Sequence, residues 1–358
     1  MIWTETVKVN DRSISRNSPT YFIADIAANH DGDLNRAKEL IWEAKESGAD
    51  CAKFQHFKAD KIVSDVGFSG DLAAVSHQRD WDQSVVAIYD QYHTKREWSD
   101  DLYNECCRAE IDFMTTPYDI EAIHLLDKYL PAYKIGSGDI TFKEIMVEIA
   151  KKNKPIFLAS GASDITEVQA AVKLILKHNS QLCVMQCNTN YTGNIENFKY
   201  VNLNVIRQFA IIWPNMVLGL SDHTPGHSAV LGAVSLGARV IEKHFTDDNA
   251  RVGPDHKFAL NPQTWSDMVK ATRELEFALG DGIKRVEMNE LETVVIQRRS
   301  LRVTKDLPKG HTLESSDLES LRPCPENAVS PMAINQVIGK KLSCNLKWGE
   351  HLQWNSFE

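Results

Sequence analysis

From residue 20 onward, apolar residues fall into short runs rich in β-branched and aromatic side chains, separated by longer segments in which they recur at three- and four-residue steps. The short runs predict strands: YFIADIA, CAKFQHF, DFMTTPY, AYKIGSG, PIFLASG, QLCVMQC, MVLGLSD and RVIEKHF. The longer segments predict helices, among them NRAKELIWEAKESGA, EAIHLLDKYL, ITEVQAAVKLILKH, HSAVLGAVSLGA and TWSDMVKATRELEFALG. Eight strand-helix alternations in about 250 residues fit an α/β fold, the closed (β/α)8 TIM barrel. An open doubly wound sheet is the alternative, but it calls for a glycine-rich loop after the first strand, and AANHDGDLN is not GxGxxG.

The flanks read differently. VKVNDRSIS predicts two short strands around an Asn-Asp turn, a hairpin capping the barrel floor. Past residue 285 the stretch GIKRVEMNELETVVIQRRS reads as a helical linker, followed by short strands and Pro-Lys-Gly and Trp-Gly-Glu turns with no long helix. The expected division is a barrel domain with its hairpin (1–285), a linker (286–298) and a small β-rich domain (299–358). The last is small enough to depend on packing against something else.

With 358 residues, 43% of them hydrophobic, the chain can bury a large core. Its net charge is −9, and the charges are scattered rather than gathered into basic blocks, which argues against a nucleic-acid partner. A small anionic substrate stays open, because a few lysines in a cleft create a local positive field that the total hides. The amino terminus lacks a basic segment followed by an apolar core, and no apolar run reaches the roughly 18 residues that span a bilayer. A soluble, cytoplasmic protein with no membrane partner is expected. The seven cysteines lack zinc-ribbon spacing, so reduced thiols are expected.

In a TIM barrel the chemistry sits at the carboxyl ends of the strands. Polar residues collect there on all eight: Asp25, Asn29 and His30; Lys53 and Gln55; Thr115 and Thr116; Lys134, Ser137 and Asp139; Ser160; Asn188, Thr189 and Tyr191; Ser221, Asp222 and His223; Glu242, Lys243 and His244. Lys53 and Lys134 lie within apolar strands, either as stems snorkelling from the rim or as partners of an anion. Together with the hydroxyls of Thr116, Ser137, Ser160 and Ser221 they suggest a phosphate or carboxylate pocket. His223 and His244 are one β/α unit apart, so they fall at matching places on adjacent strands, about 5 Å apart. That spacing suits either two hydrogen-bonded histidines or one divalent ion with open positions for water and substrate. Asp255, in the loop DDNARVGPDHKFALNP, is either a turn residue or a substrate contact.

The motifs IAANHDGD, AKFQ, TTPYD, AYKIGSGD, ASGA, GLSDHT, EKHFT, GPDHKFAL, RRSL and IGKKL span nearly the whole chain. Through them the chain resembles the sialic acid synthase family, phosphoenolpyruvate-dependent synthases of N-acetylneuraminate and related nonulosonates. The resemblance implies condensation of phosphoenolpyruvate with the open-chain aldehyde of an N-acetylated hexosamine, with release of phosphate. It implies a divalent metal, Mn²⁺ or in its place Mg²⁺ or Co²⁺, on His223 and His244. Asp25, Lys53, Lys134 and Asp139 would be catalytic; Lys53, Lys134, Thr116, Ser137 and Ser221, with Ser160 and Thr189, would hold phosphoenolpyruvate. Gln55, Tyr191 and Asp255 would face the sugar. Arg322 would reach it from the other subunit of a domain-swapped homodimer, carried by a carboxyl-terminal antifreeze-like domain. Three departures stand out: Asp25 and Asp139 where glutamates are usual, and Tyr191-Thr192-Gly193 where Tyr-Pro is common. Competing readings are a pseudaminic- or legionaminic-type synthase acting on a 6-deoxy diacetamido sugar, a Kdo-type synthase, a barrel metallohydrolase, and a glycan-binding protein.

Overall fold

In the computed structural model, which describes residues 2–64, 66–68 and 83–358, every one of the eight expected strand runs forms a strand. After the hairpin β1 (Thr6–Val9) and β2 (Arg12–Ser15) come β3 (Tyr21–Asp25), β4 (Cys51–His56), β5 (Asp112–Pro117), β6 (Tyr133–Ile135), β7 (Ile156–Ala159), β8 (Leu182–Cys187), β9 (Val217–Asp222) and β10 (Ala238–His244). These last eight make one sheet in the order β5-β4-β3-β10-β9-β8-β7-β6, and its laddered pairs are parallel. The two ends of that order, β5 and β6, lie against each other, so the sheet curls into a nearly closed barrel.

Period two explains both faces of the wall. Tyr21, Ile23, Cys51, Met114, Phe157, Cys183, Met185, Val217 and Val240 point inward and join Val7, Val9 and Ile14 of the hairpin in one buried cluster that plugs the floor. The alternate residues, such as Phe22, Phe54, Ile135, Leu158, Val184, Leu220 and Ile241, pack outward against the helices in a larger cluster. Those helices include α1 (Leu34–Glu46), whose start Asp33 caps by accepting from the amides of Asn35 and Arg36. After the barrel's last strand, the 18-residue α2 (Pro262–Leu279) begins at a capping box of Asn261 and Thr264 with proline in its first turn. No helix among the described residues is long and apolar enough to cross a membrane.

The chain separates into two compact units, residues 1–280 and 281–358. The segment read as a helical linker is helical over a 3₁₀ turn (Met288–Glu290) and the α3 that continues it (Leu291–Gln297). Gly280 and Gly282, both at positive φ, and the exposed residues after them give no buried face to sustain a longer helix. In the second unit β11 (Ser300–Val303) pairs antiparallel with β12 (Leu318–Leu321). Leu301, Val303, Leu307, Leu313, Val329, Val337, Leu342 and Leu352 form that unit's own small core.

Candidate active site

The period-two register carries each inward face from apolar at the floor to polar at the carboxyl end. Asp25 sits two residues beyond Ile23, Lys53 beyond Cys51, Thr116 beyond Met114, Ser221 beyond Gly219, and Glu242 beyond Val240. Strand pairing sets Asp25 beside Lys53 and His244, and Ser221 beside Glu242. The result is a buried charged layer. Lys53 donates to Asp25 at 2.6 Å and lies 4.0 Å from Glu242, while Lys134 lies 3.5 Å from the other Glu242 oxygen, which also accepts from Ser221 at 3.0 Å. All four charged side chains are at most 6% exposed. Burial alone would push the Glu242 carboxyl up, but Lys134 and Lys53 outweigh it and hold the group below the usual range. Burial likewise opposes the Lys53 ammonium, and Asp25 and Glu242 overcome it and raise its pKa.

Several of the remaining expected residues gather round this layer. Gln55 donates to Asp25 at 3.0 Å, and Thr116 lies 3.4 Å from the Lys53 ammonium. The Ser137 hydroxyl accepts from the amide of Gly161 at 2.9 Å. A Cβ on Gly161 would stand 1.9 Å from the Thr189 hydroxyl and 2.8 Å from that of Ser137, so only glycine leaves room for these two hydroxyls. Ser160 turns away and donates to the carbonyl of Met185. Asp25, despite being one methylene shorter than the usual glutamate, still reaches Lys53. Burial pushes the Asp139 carboxyl up to about 6, with Lys134 only partly opposing this. Thr192 closes its loop by donating to Asn190, and Gly193, at positive φ, packs against Phe258.

The two histidines face each other with ring centroids 5.4 Å apart, between Tyr191 and Phe258. The His223 Nδ1–H donates to the Asn188 carbonyl at 3.0 Å, which leaves Nε2 as the ring's lone-pair atom. His244 Nδ1 is buried without a hydrogen-bond partner, 3.7 Å from Asp255. Burial first, then the positive surroundings of His223 and Lys53, hold His244 well below its ordinary pKa, so it is neutral. Burial opposes the charged form of His223, but Cys187, Asp222 and the Asn188 carbonyl outweigh it and raise the pKa of His223; in their neutral forms the two imidazoles offer ring nitrogens that fit a borderline divalent cation, with water and substrate completing its shell. Among the described residues no group of three or more His, Cys, Asp or Glu side chains is gathered to hold a metal, so a closed structural site does not form.

Outside these groups a cavity of about 400 Å³ opens, lined by Gln55, Ser137, Asp139, Thr189, Tyr191, His244 and Asp255 together with Phe57, Ile62, Ile88, Tyr92 and Tyr118. Burial pushes the Asp255 carboxyl up to about 6, and Asp25 adds to the effect. Arg322 belongs to the second unit, directly after β12.

Two features go beyond the roles read from the sequence. Glu242 is central to the charged layer, and its signal was present: it precedes His244 by two and so shares its inward face. Asp222 and Lys243, grouped above with the barrel mouth, occupy the opposite parity. They pair at 2.5 Å on the outer face of the wall, each 1% exposed, with Lys243 also donating to the Thr224 carbonyl. This pair ties together the strand ends that present the histidines.

The sequence model of the NeuB family matches residues 40–284, and that of the SAF domain matches residues 298–358. The N,N'-diacetyllegionaminic acid synthase of Campylobacter jejuni is 35% identical over 335 residues, covering 92% of this chain and 98% of its own. The N,N'-diacetyllegionaminic acid synthase of Legionella pneumophila is 34% identical over 361 residues, covering 98% of each. The crystal structure of N-acetylneuraminic acid synthetase from Leptospira borgpetersenii, in complex with citrate, aligns with a TM-score of 0.71 at 25% identity, over 82% of this chain and 96% of that one. With the barrel, its charged mouth and these matches in agreement, the chain belongs to the NeuB family, the sialic acid synthase family that its motifs resemble.

Proposed function

We propose that this protein is an enzyme that condenses phosphoenolpyruvate with the aldehyde of an N-acetylated amino sugar to give a sialic acid or related nonulosonic acid and inorganic phosphate. The observation that carries the reading is the buried layer of Lys53, Lys134, Asp25 and Glu242 set directly beside the His223–His244 pair.

In this reading Lys53 and Lys134, with Thr116, Ser137, Ser221 and Thr189, bind the carboxylate and phosphate of phosphoenolpyruvate; Ser160 supports that wall through the backbone. Carbon 3 of phosphoenolpyruvate bonds to the aldehyde carbon, and water adds at carbon 2. The carbon 2–oxygen bond to phosphate then breaks, leaving a ketone. Asp25 and Glu242 face the positive charge that develops at carbon 2, in a dry layer where such charges act strongly. Gln55, Tyr191 and Asp255 orient the sugar, and Asp255 holds a proton up to about pH 6 beside the aldehyde oxygen. A divalent ion such as Mn²⁺ on His223 and His244 would supply Lewis-acid polarisation of that oxygen. Arg322 completes the sugar site from the partner of a domain-swapped homodimer.

A specific observation favours an acceptor of the 6-deoxy diacetamido type. Phe57, Ile62, Ile88, Tyr92 and Tyr118 are part of the cavity's wall, and no lysine or arginine lines the cavity among the described residues. Such a wall suits methyl and acetamido groups and offers no partner to a second phosphate, as a Kdo-type acceptor would need. The test is phosphate release by the purified protein with Mn²⁺ and phosphoenolpyruvate across N-acetylhexosamine, diacetamido-trideoxyhexose and sugar-phosphate acceptors. Release should depend on an unphosphorylated N-acetylated acceptor. Release without acceptor, or with none of the panel, overturns the proposal and leaves a hydrolase or a binding protein.

A further inference from the structure

The loop that follows His244 carries Asp255 over the cavity, and its tether lies far away in sequence. His256 is fully buried: its Nε2–H donates to Asp31 at 2.9 Å, and its Nδ1 lies 2.7 Å from the Thr246 hydroxyl. Gly253 lies flat on the His256 ring, where a Cβ would come within 2.6 Å of a ring carbon. Arg251, from the same loop, donates to the other Asp31 oxygen at 2.9 Å. Arg36 of α1 lies 3.2 Å from Asp31 and also binds Asp247, so the loop is held at three points to one carboxylate and its neighbour.

Asp31 has φ of 52° and Gly32 of 74°, a left-handed pair that turns the chain after the first barrel strand and aims the Asp31 carboxylate at this loop. Aspartate and asparagine tolerate that conformation better than most side chains, and such strained residues persist where their surroundings over-determine them. The Asp255 carboxylate then rests against the Ala28 amide, 3.5 Å away, and His244 Nδ1, 3.7 Å away.

We propose that Asp31 is a positioning residue: by clamping His256 and Arg251 it sets Asp255 over the acceptor end of the cavity, so that it governs affinity for the sugar and not for phosphoenolpyruvate. The inference rests on the proposed condensation. It acts through the loop, since Asp31 itself is not among the cavity-lining residues.

The test uses Asp31→Asn, which keeps the shape and the tolerance of positive φ but removes the charge shared with Arg251 and Arg36, and Asp31→Ala, which removes every contact. Steady-state phosphate release should show the acceptor KM raised at least tenfold in Asp31→Ala and less in Asp31→Asn. The phosphoenolpyruvate KM should stay within twofold of wild type. A second readout is limited trypsin digestion mapped by mass spectrometry. The Arg251–Val252 bond, beside a Val252 that is 92% exposed, should be cut at least five times faster once Arg251 is released. Equal rises in both KM values, or an unchanged acceptor KM in Asp31→Ala, overturn the proposal. If wild type releases no phosphate with any acceptor, the condensation fails first, and unchanged cleavage at Arg251 then overturns the clamp independently.

Discussion

Replacing Lys134 with methionine separates what the charged layer does for stability from what it does for substrate. Lys134 lies 3.5 Å from Glu242 and Lys53 lies 4.0 Å from it, attractions of about 5 and 4 kcal/mol at an effective dielectric near 20. Lys134→Met removes the first and leaves Glu242 with Lys53 and Ser221. The loss is bounded, because a buried glutamate can escape by taking up a proton. At pH 7 that costs about 4 kcal/mol, roughly 1.4 kcal/mol for each pH unit above its ordinary value near 4.3. Relief from desolvating the ammonium offsets part of it, so a net loss of about 1–3 kcal/mol is expected, or roughly 2–10 °C in Tm. Phosphoenolpyruvate loses one buried cation contact, worth about 3 kcal/mol, so its KM should rise on the order of 100-fold while the acceptor KM changes little. The double variant Lys134→Met with Glu242→Gln removes both charges and should recover stability to within about 1 kcal/mol of wild type without recovering phosphoenolpyruvate affinity. Scanning calorimetry and phosphate-release kinetics read the two effects separately. An unchanged phosphoenolpyruvate KM in the single variant, or its restoration in the double, refutes the reasoning.

Gly161→Ala should drive the new methyl into the hydroxyls of Thr189 and Ser137, costing about 1–3 kcal/mol of stability and raising the phosphoenolpyruvate KM at least tenfold; calorimetry with the same kinetics checks it. His244→Ala should lower Mn²⁺ affinity, read by isothermal titration, at least tenfold while circular dichroism stays that of a folded barrel. In the second unit Asp317 is buried beneath Lys305 and His311, and although burial opposes it, their hydrogen bonds and that of the Glu314 amide hold its carboxyl far below the usual range. Its folded pKa is depressed, so its contribution is present above about pH 4 and fades as pH falls through the unfolded value toward the folded one. Hydrogen exchange over residues 300–358 should show Asp317→Asn about 1–3 kcal/mol less stable at pH 7, with the difference shrinking below pH 4.

The barrel was legible because inward and outward parity persist through all eight strands, and because the histidines are one β/α unit apart. Helix Ser99–Arg108 was less so: its sequence, SDDLYNECCR, buries only Leu102 and Cys106 as apolar residues, too few to show a helical period. The polar residues at the mouth are legible as a set, Glu242 among them, but only strand parity separates the inward Glu242 from the outward Lys243–Asp222 pair. The clamp of His256 by Asp31 joins residues 225 positions apart, and no local pattern announces a contact made only when the last loop folds back over the first strand.

The most direct measurement is the nuclear magnetic resonance spectrum of the product made from [3-¹³C]phosphoenolpyruvate and the acceptor that supports phosphate release. The account predicts that the labelled carbon becomes a methylene bonded to the former aldehyde carbon, in a product with the mass of the sugar plus pyruvate. Label recovered as pyruvate, with the acceptor unchanged, would contradict it.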